Sequence, residues 1–198
     1  MNNVQVLHNS HKDRIQCNQL KFQWGEDLTT DVSLKLSYLD SNLIIDFDVT
    51  EIEIRKQATH NNDKVYEDSC VECFFKIPNS DEYYNFEASA TSFMLVARGS
   101  SRKNRVHLDN TIIKNIDRQV SILNETPGEC HWKIRLSIDL IEWGLLEKGV
   151  DIKNHFIEAN FYKCGDKLKT PHYLSLFDID SDTPNFHTPN SFGKLIFV

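Results

Sequence analysis

Apolar and polar residues alternate with a period of two over much of the chain. Val32, Leu34, Leu36 and Tyr38 share one parity, as do Trp132, Ile134, Leu136 and Ile138. Such alternation sends successive side chains to opposite faces, so each set describes a half-buried strand. Leu43, Ile45, Phe47 and Val49 form a third set, after which the apolar parity moves to Ile52 and Ile54. A parity change inside a strand marks a β-bulge, expected here near Thr50-Glu51. The same reading predicts strands near 70–77, 83–91, 93–98, 105–109, 119–124, 155–163, 172–177 and 194–198. Asp40-Ser-Asn42, Pro78-Asn-Ser-Asp81, Thr126-Pro-Gly128 and Gly165-Asp166 supply turns between them. About ten strands at this spacing predict an all-β, single-domain antiparallel β-sandwich of immunoglobulin or jelly-roll type spanning 1–198. One short helix is expected over Asp139 to Leu146.

Composition supports strands over helices. The 198 residues are 40% hydrophobic, enough for a core, and only five are alanine among many β-branched and aromatic residues. A formal net charge of −7 argues against nucleic acid or an anionic membrane as the main partner. The one basic cluster, Arg98 with Arg102, Lys103 and Arg105, reads as a solvated loop. No apolar run approaches the roughly 18 residues of a spanning helix, and Met1 to His8 has no signal-peptide pattern. As it stands the chain is expected in the cytoplasm, or outside it if a leader has been trimmed. His8 and His11 fall in an N-terminal stretch expected to be mobile.

Five cysteines do not close a disulfide framework. Cys70 and Cys73 lie three apart in a strand pattern, so they point to opposite faces and cannot share a metal. Both are expected to be inert, reduced thiols.

The segments 70–77 and 83–91 form a hairpin. Their apolar sets, Val71, Cys73, Phe75, Ile77 and Tyr84, Phe86, Ala88, Ala90, share a face if opposing residues differ in parity, for example Phe75 across from Phe86. That leaves Glu72, Phe74 and Lys76 with Asn85, Glu87 and Ser89 on the other face. Strand 155–163 divides likewise, with Ile157, Ala159 and Phe161 inward and Glu158, Asn160 and Tyr162 outward. A sheet face rich in acids, amides and aromatics suits sugar rings, whose C–H faces pack on aromatics and whose hydroxyls take planar bidentate partners. It is also what any solvated sheet face can show.

The last third carries Asn160-Phe-Tyr-Lys-Cys-Gly-Asp166, Pro171-His-Tyr-Leu-Ser175, Phe186-His187, Pro189 and Phe192-Gly193, so that aromatics continue through turn-rich loops. With Val65-Tyr-Glu-Asp-Ser-Cys-Val-Glu-Cys-Phe-Phe75 and Tyr83-Tyr-Asn-Phe-Glu87, this ending resembles the family 9 carbohydrate-binding modules and their DOMON-like relatives, in a bacterial stand-alone subgroup. The resemblance runs from about Arg55 to the C-terminus. It implies a β-sandwich that binds a mono- or oligosaccharide, in the setting of xylan-type glycan breakdown, with structural calcium in some members. Family 9 modules clamp a terminal sugar between two tryptophans. Here Trp24, Trp132 and Trp143 lie outside the motif loops and read as core aromatics, so Tyr66 with Tyr173 or Phe177 would have to replace the clamp.

On this reading Asp68, Glu72, Glu87, Asn160 and Arg98 would hydrogen-bond hydroxyls while Tyr66 and Tyr173 stack. Arg55, Lys163 and His187 complete the candidate ligand-binding set. Some of the acids could instead hold calcium, a hard cation that takes clustered oxygens. Two alternatives compete. One is a glycoside hydrolase using Glu72 and Glu87, diagonal in the register above, as its carboxylate pair. The other is a haem-binding DOMON redox domain with Met94 and a histidine as axial ligands. His172 and His187 lie in the motif loops, where structural hydrogen bonding is as fitting a role as ligand contact. No HExxH, phosphate-binding glycine loop or Ser-His-Asp arrangement is present.

Overall fold

In the computed structural model, which describes residues 2–25 and 29–198, the alternating segments form two facing sheets. In chain order the strands are β1 (Asn3–His8), β2 (Cys17–Gln19), β3 (Lys21–Gly25), β4 (Asp31–Leu39), β5 (Asn42–Glu51), β6 (Cys70–Lys76) and β7 (Tyr83–Ser89). There follow β8 (Met94–Gly99), β9 (Arg105–His107), β10 (Asp117–Thr126), β11 (Glu129–Asp139), β12 (Phe156–Cys164), β13 (His172–Ser175) and β14 (Gly193–Phe197). Neighbouring strands run in the order β10-β11-β5-β4-β1-β14-β12-β6-β7-β8-β9.

One sheet is built on β10, β11, β5 and β4, the other on β14, β12, β6, β7, β8 and β9. β1 joins them: Asn3–Val6 pairs with β14, and Leu7–His8 pairs with β4. Both pairings are parallel, an exception to the antiparallel rule elsewhere. The N-terminal stretch expected to be mobile is therefore the seam of the sandwich, with Val4 and Val6 buried. β1, β2 and β3 were not predicted from the alternation.

Between the sheets, the predicted parity sets meet face to face. Leu34, Leu36, Ile45, Phe47, Trp132 and Ile134 from one sheet pack on Val71, Phe75, Phe86, Met94, Ala159 and Phe161 from the other. Removing this apolar surface from water is the main term favouring the fold.

Three expectations need correction. β5 has no bulge; it stays in register with β11 as far as Glu51 opposite Cys130, and the chain leaves the sheet at Ile52. The parity shift arises because Glu51 occupies an inward position as a buried carboxylate. Asp139 to Leu146 is a capped single turn rather than a helix. Asp139 Oδ1 accepts from the Ile141 and Glu142 amides, and Gly144 at φ 66° ends the turn. The short helix is instead α1 (Asn110–Ile113), capped by Asp109. Finally, β6 and β7 pair with Cys73 opposite Phe86 and Phe75 opposite Tyr84, so Glu72 lies directly across from Glu87 rather than diagonally. Parity was right and register was displaced by two residues. Among the described residues no helix is long and apolar enough to cross a membrane.

Candidate functional site

The outer face of β12, β6, β7 and β8 is roofed by chain. Residues 52–69, between β5 and β6, and residues 165–192, around β13, fold over it and enclose a second apolar cluster containing Phe74, Tyr83, Tyr162 and Phe186. The sugar-suited face predicted from parity therefore exists, but Glu72 and Glu87 are buried beneath loops rather than lying on an open sheet.

Each loop is pinned by a motif residue. Asp68 Oδ1 binds Arg55 Nη1 at 2.5 Å, and its Oδ2 accepts from the Gln57 and Ala58 amides. Asn160 donates to the Phe177 carbonyl at 3.1 Å and accepts from the Phe177 amide at 3.0 Å, fastening the returning loop to β12. The Tyr162 ring stacks on Phe186 with centroids 4.3 Å apart. The Asp166 amide reaches the Tyr66 carbonyl at 2.9 Å, which ties one loop to the other. Trp24 donates Nε1–H to the Ser181 carbonyl and packs edge-on against Tyr173, so β3 braces the rim.

Between the loops and the β8–β9 hairpin lies a cavity of about 610 Å³, within the range of small-molecule sites. Tyr66, Tyr173 and Phe186 give it aromatic walls, and Glu72, Glu87, Asp166, Arg105 and His187 give it polar ones. Arg102 and Lys103, read from sequence as a solvated loop, stand at the same cavity because the hairpin folds them inward.

Electrostatics in the cavity follow from burial. Glu87 Oε1 accepts from Asn85 Nδ2 at 2.8 Å and faces Arg105 Nη2 at 3.6 Å, whereas its buried Oε2 has no protein partner. Burial, opposed by Arg105, pushes the Glu87 carboxyl up to about 7. Burial and the facing Glu87 raise Glu72 well above the carboxylate range. Tyr173, also desolvated and beside Asp166, is raised to about 12. His187 is lowered to about 3 by burial and then by Arg105 and Arg102. Its Nδ1 meets the Tyr83 hydroxyl at 2.9 Å, and Arg105 Nη1 lies 3.0 Å from Nε2.

Of the candidate ligand-binding residues, Tyr66, Glu72, Glu87, Tyr173 and His187 line the cavity. The others lie elsewhere. Arg55 and Asp68 hold each other within a loop, and Asn160 is a fully buried loop fastener. Arg98 shares the parity of Val96 on the opposite face of β8 and pairs with Glu82 at 2.7 Å. Lys163 shares the inward parity of Phe161 and is buried between the sheets against Glu51. Phe177 is likewise a core residue; its ring fills the space beside Gly193, where a Cβ would come within 2.4 Å of it. Met94 is enclosed in the inter-sheet core, which gives no open edge for an axial haem ligand. Sequence reasoning missed Asp166, Phe186, Arg102 and Arg105 as cavity residues, although all but Arg102 and Arg105 stand in the quoted motifs.

A β-sandwich with an aromatic and polar pocket built by loops on one outer sheet face belongs to the class of sugar-binding sandwich domains. The model of carbohydrate-binding family 9 matches residues 4–197, and the chain belongs to that family. It is similar over 99% of both chains to a Bacteroides uniformis protein provisionally described as carbohydrate-binding, with 28% identity and a TM-score of 0.86. Two structures of a family 9 module from Caldicellulosiruptor kristjanssonii share the fold. One, in complex with glucose, has 13% identity, covers 100% of this chain and 96% of that one, and has a TM-score of 0.64. The other, in complex with cellotriose, has 14% identity, covers 99% and 93%, and has a TM-score of 0.64. No curated protein matches the chain in sequence.

Proposed function

We propose that the protein is a non-catalytic module that takes one or a few sugar units into the cavity between the two loops and the β8–β9 hairpin. Tyr66, Tyr173 and Phe186 offer ring faces for pyranose C–H groups, and Glu87, Asp166, Arg102 and Arg105 offer bidentate partners for hydroxyls. The observation that carries this reading is the buried Glu87 Oε2. A desolvated carboxylate oxygen without a partner is costly, and a small turn of the carboxyl toward a ligand hydroxyl in the cavity would relieve that cost. Sequence-distant aromatics converge on the same space, as a sugar platform requires. The Caldicellulosiruptor modules with glucose and cellotriose share the fold and suggest which ligands to try first.

Hydrolysis is the weaker reading. Glycosidase carboxylates flank the scissile bond, whereas Glu72 and Glu87 are direct cross-strand neighbours on a single wall. Isothermal titration with glucose, xylose, cellotriose and xylotriose tests the proposal. Saturable binding to one of them is expected, weakened at least about tenfold in Glu87→Ala and unchanged in Arg98→Ala. Flat isotherms across the panel, or release of reducing ends from an oligosaccharide, would defeat it.

A further inference from the structure

At the cavity floor, strand register gathers a set of groups that sugar recognition does not require. Cys164 on β12 lies directly opposite Cys70 on β6, and Glu72, two residues along β6, points to the same face. The two thiols and the Glu72 carboxylate lie within 4.8 Å of one another. Cys164 Sγ donates to Glu72 Oε1 at 3.0 Å. All three side chains are buried and all stand on strands, so their positions are set by ladder hydrogen bonds rather than by mobile loops.

We propose that Cys70, Cys164 and Glu72 form a binding site for a thiophilic divalent ion of the zinc class. Around a tetrahedral zinc with bonds of about 2.3 Å to sulfur, ligand atoms sit roughly 3.8 Å apart, a spacing that these three need only small rotamer changes to reach. Two soft sulfurs exclude calcium and magnesium, which take oxygen cages, so the metal differs in kind from the calcium implied by family resemblance. Cys164 and Glu72 border the cavity, so the fourth coordination position opens into it. Glu87, directly across from Glu72 on β7, borders the same cavity and leaves its Oε2 unpartnered. A metal-bound water at the fourth position would have the Glu87 carboxyl as its neighbour. Three ligands with one open place is the pattern of an exchangeable rather than a closed structural site.

Binding balances as follows. Each thiol gives up its proton as its sulfur binds the ion, Cys164 the one it donates to Glu72 Oε1. The ion accepts two thiolates and one carboxylate, and the displaced protons pass to solvent. Arg105, already beside Glu87, faces the resulting negative charge.

The inference stands apart from sugar binding, and its test reads metal alone. The reduced 198-residue chain is titrated with Co²⁺ as a spectroscopic probe and then with Zn²⁺. One equivalent of Co²⁺ is expected to give a sulfur-to-cobalt charge-transfer band and intense tetrahedral visible bands, both abolished by Zn²⁺. Cys70→Ser and Cys164→Ser should each weaken uptake by at least about 100-fold, and Cys17→Ser, the exposed thiol, should not change it. In wild type, Zn²⁺ should shield Cys70 and Cys164 from alkylation, read by peptide mass spectrometry, which keeps the test valid if a serine variant fails to fold. Absence of tetrahedral bands at micromolar metal, bands that survive in the double serine variant, or a Cys70–Cys164 disulfide in the purified protein would each overturn the proposal. None of these outcomes would alter the sugar isotherms expected above.

Discussion

Lys163 and Glu51 reach toward each other from facing sheets and form an ion pair of 2.9 Å, with side chains 0% and 1% exposed. The pair is fully hydrogen-bonded. Glu51 Oε1 also accepts from Trp132 Nε1 at 2.6 Å, while the Lys163 ammonium donates to the Cys164 carbonyl and to His172 Nε2, each at 2.9 Å. Removing one partner leaves an uncompensated charge between the sheets. Lys163→Met is therefore expected to lose about 3–5 kcal/mol in urea denaturation, and Glu51→Leu/Lys163→Met much less than the sum of its single changes. Sugar affinity of Lys163→Met at a temperature where it remains folded should change less than about threefold, because Lys163 does not border the cavity. A large affinity loss with unchanged stability would return Lys163 to the binding residues.

Asn160 links stability to the site. It closes two hydrogen bonds with the Phe177 backbone and a longer one to the Ser191 carbonyl, and the loop so fastened carries Phe186 and His187. Asn160→Ala should cost about 1–3 kcal/mol, since the buried Phe177 amide loses its acceptor while the Phe177 carbonyl keeps Ser175 Oγ. It should also weaken sugar binding by freeing the loop, with faster amide exchange over 177–191 as the direct readout. Exchange unchanged from wild type would mean that the loop is held by other contacts.

Much of this was legible from alternation and much was not, for identifiable reasons. The parity of β6, β7 and β12 sorts Phe75, Phe86 and Phe161 inward and Glu72, Glu87 and Tyr162 outward, as period two dictates. Parity alone cannot separate Phe75 opposite Phe86 from Phe75 opposite Tyr84. The tight turn decides it, with the Ile77 amide bonded to the Glu82 carbonyl and Asn79 at φ 57°. Glu51 misled the reading because a carboxylate at an inward position makes sense only once Lys163, 112 residues away, is seen on the other sheet. The motif residues were correctly recognised as a unit, yet motif membership does not distinguish a residue that shapes a loop from one the loop presents. Asp68 and Asn160 shape; Tyr173 and His187 are presented. Arg102 and Lys103 carry no pattern of their own, and only the β8–β9 hairpin brings them to the cavity.

Tyr173 tests the aromatic wall. Its ring borders the cavity, braced edge-on by Trp24 at 6.4 Å and by Phe186 at 6.0 Å. Tyr173→Ala should weaken sugar binding about 10- to 30-fold by isothermal titration, reflecting lost ring contact. Tyr173→Phe, which keeps the ring and gives up the hydroxyl beside Asp166, should weaken it no more than about threefold. Equal losses in both variants would assign the residue to hydrogen bonding and leave Tyr66 and Phe186 as the platform.

His187 gives the fold a dependence on acid. It packs on Phe74 from β6, meets Tyr83 from β7 and lies against Arg105 from β9, with Arg102 adding to the positive surroundings. These hold it neutral, with its value lowered to about 3 in the folded state. The unfolded chain protonates the same imidazole near its ordinary value of about 6.5, so below that pH the unfolded state binds the extra proton. Its stabilising contribution is thus present above about pH 6.5 and lost as pH falls toward about 3, by a few kcal/mol in all. Glu87, raised to about 7, works in the opposite direction as pH falls from about 7 to 4.5, so total stability alone is not diagnostic. The diagnostic quantity is the difference between wild type and His187→Gln in urea midpoints at pH 7, 6, 5 and 4. That difference should shrink steadily with acid, as wild type loses what the glutamine variant never had. A difference independent of pH would show that His187 titrates normally in the folded protein and that Arg105 does not hold it neutral.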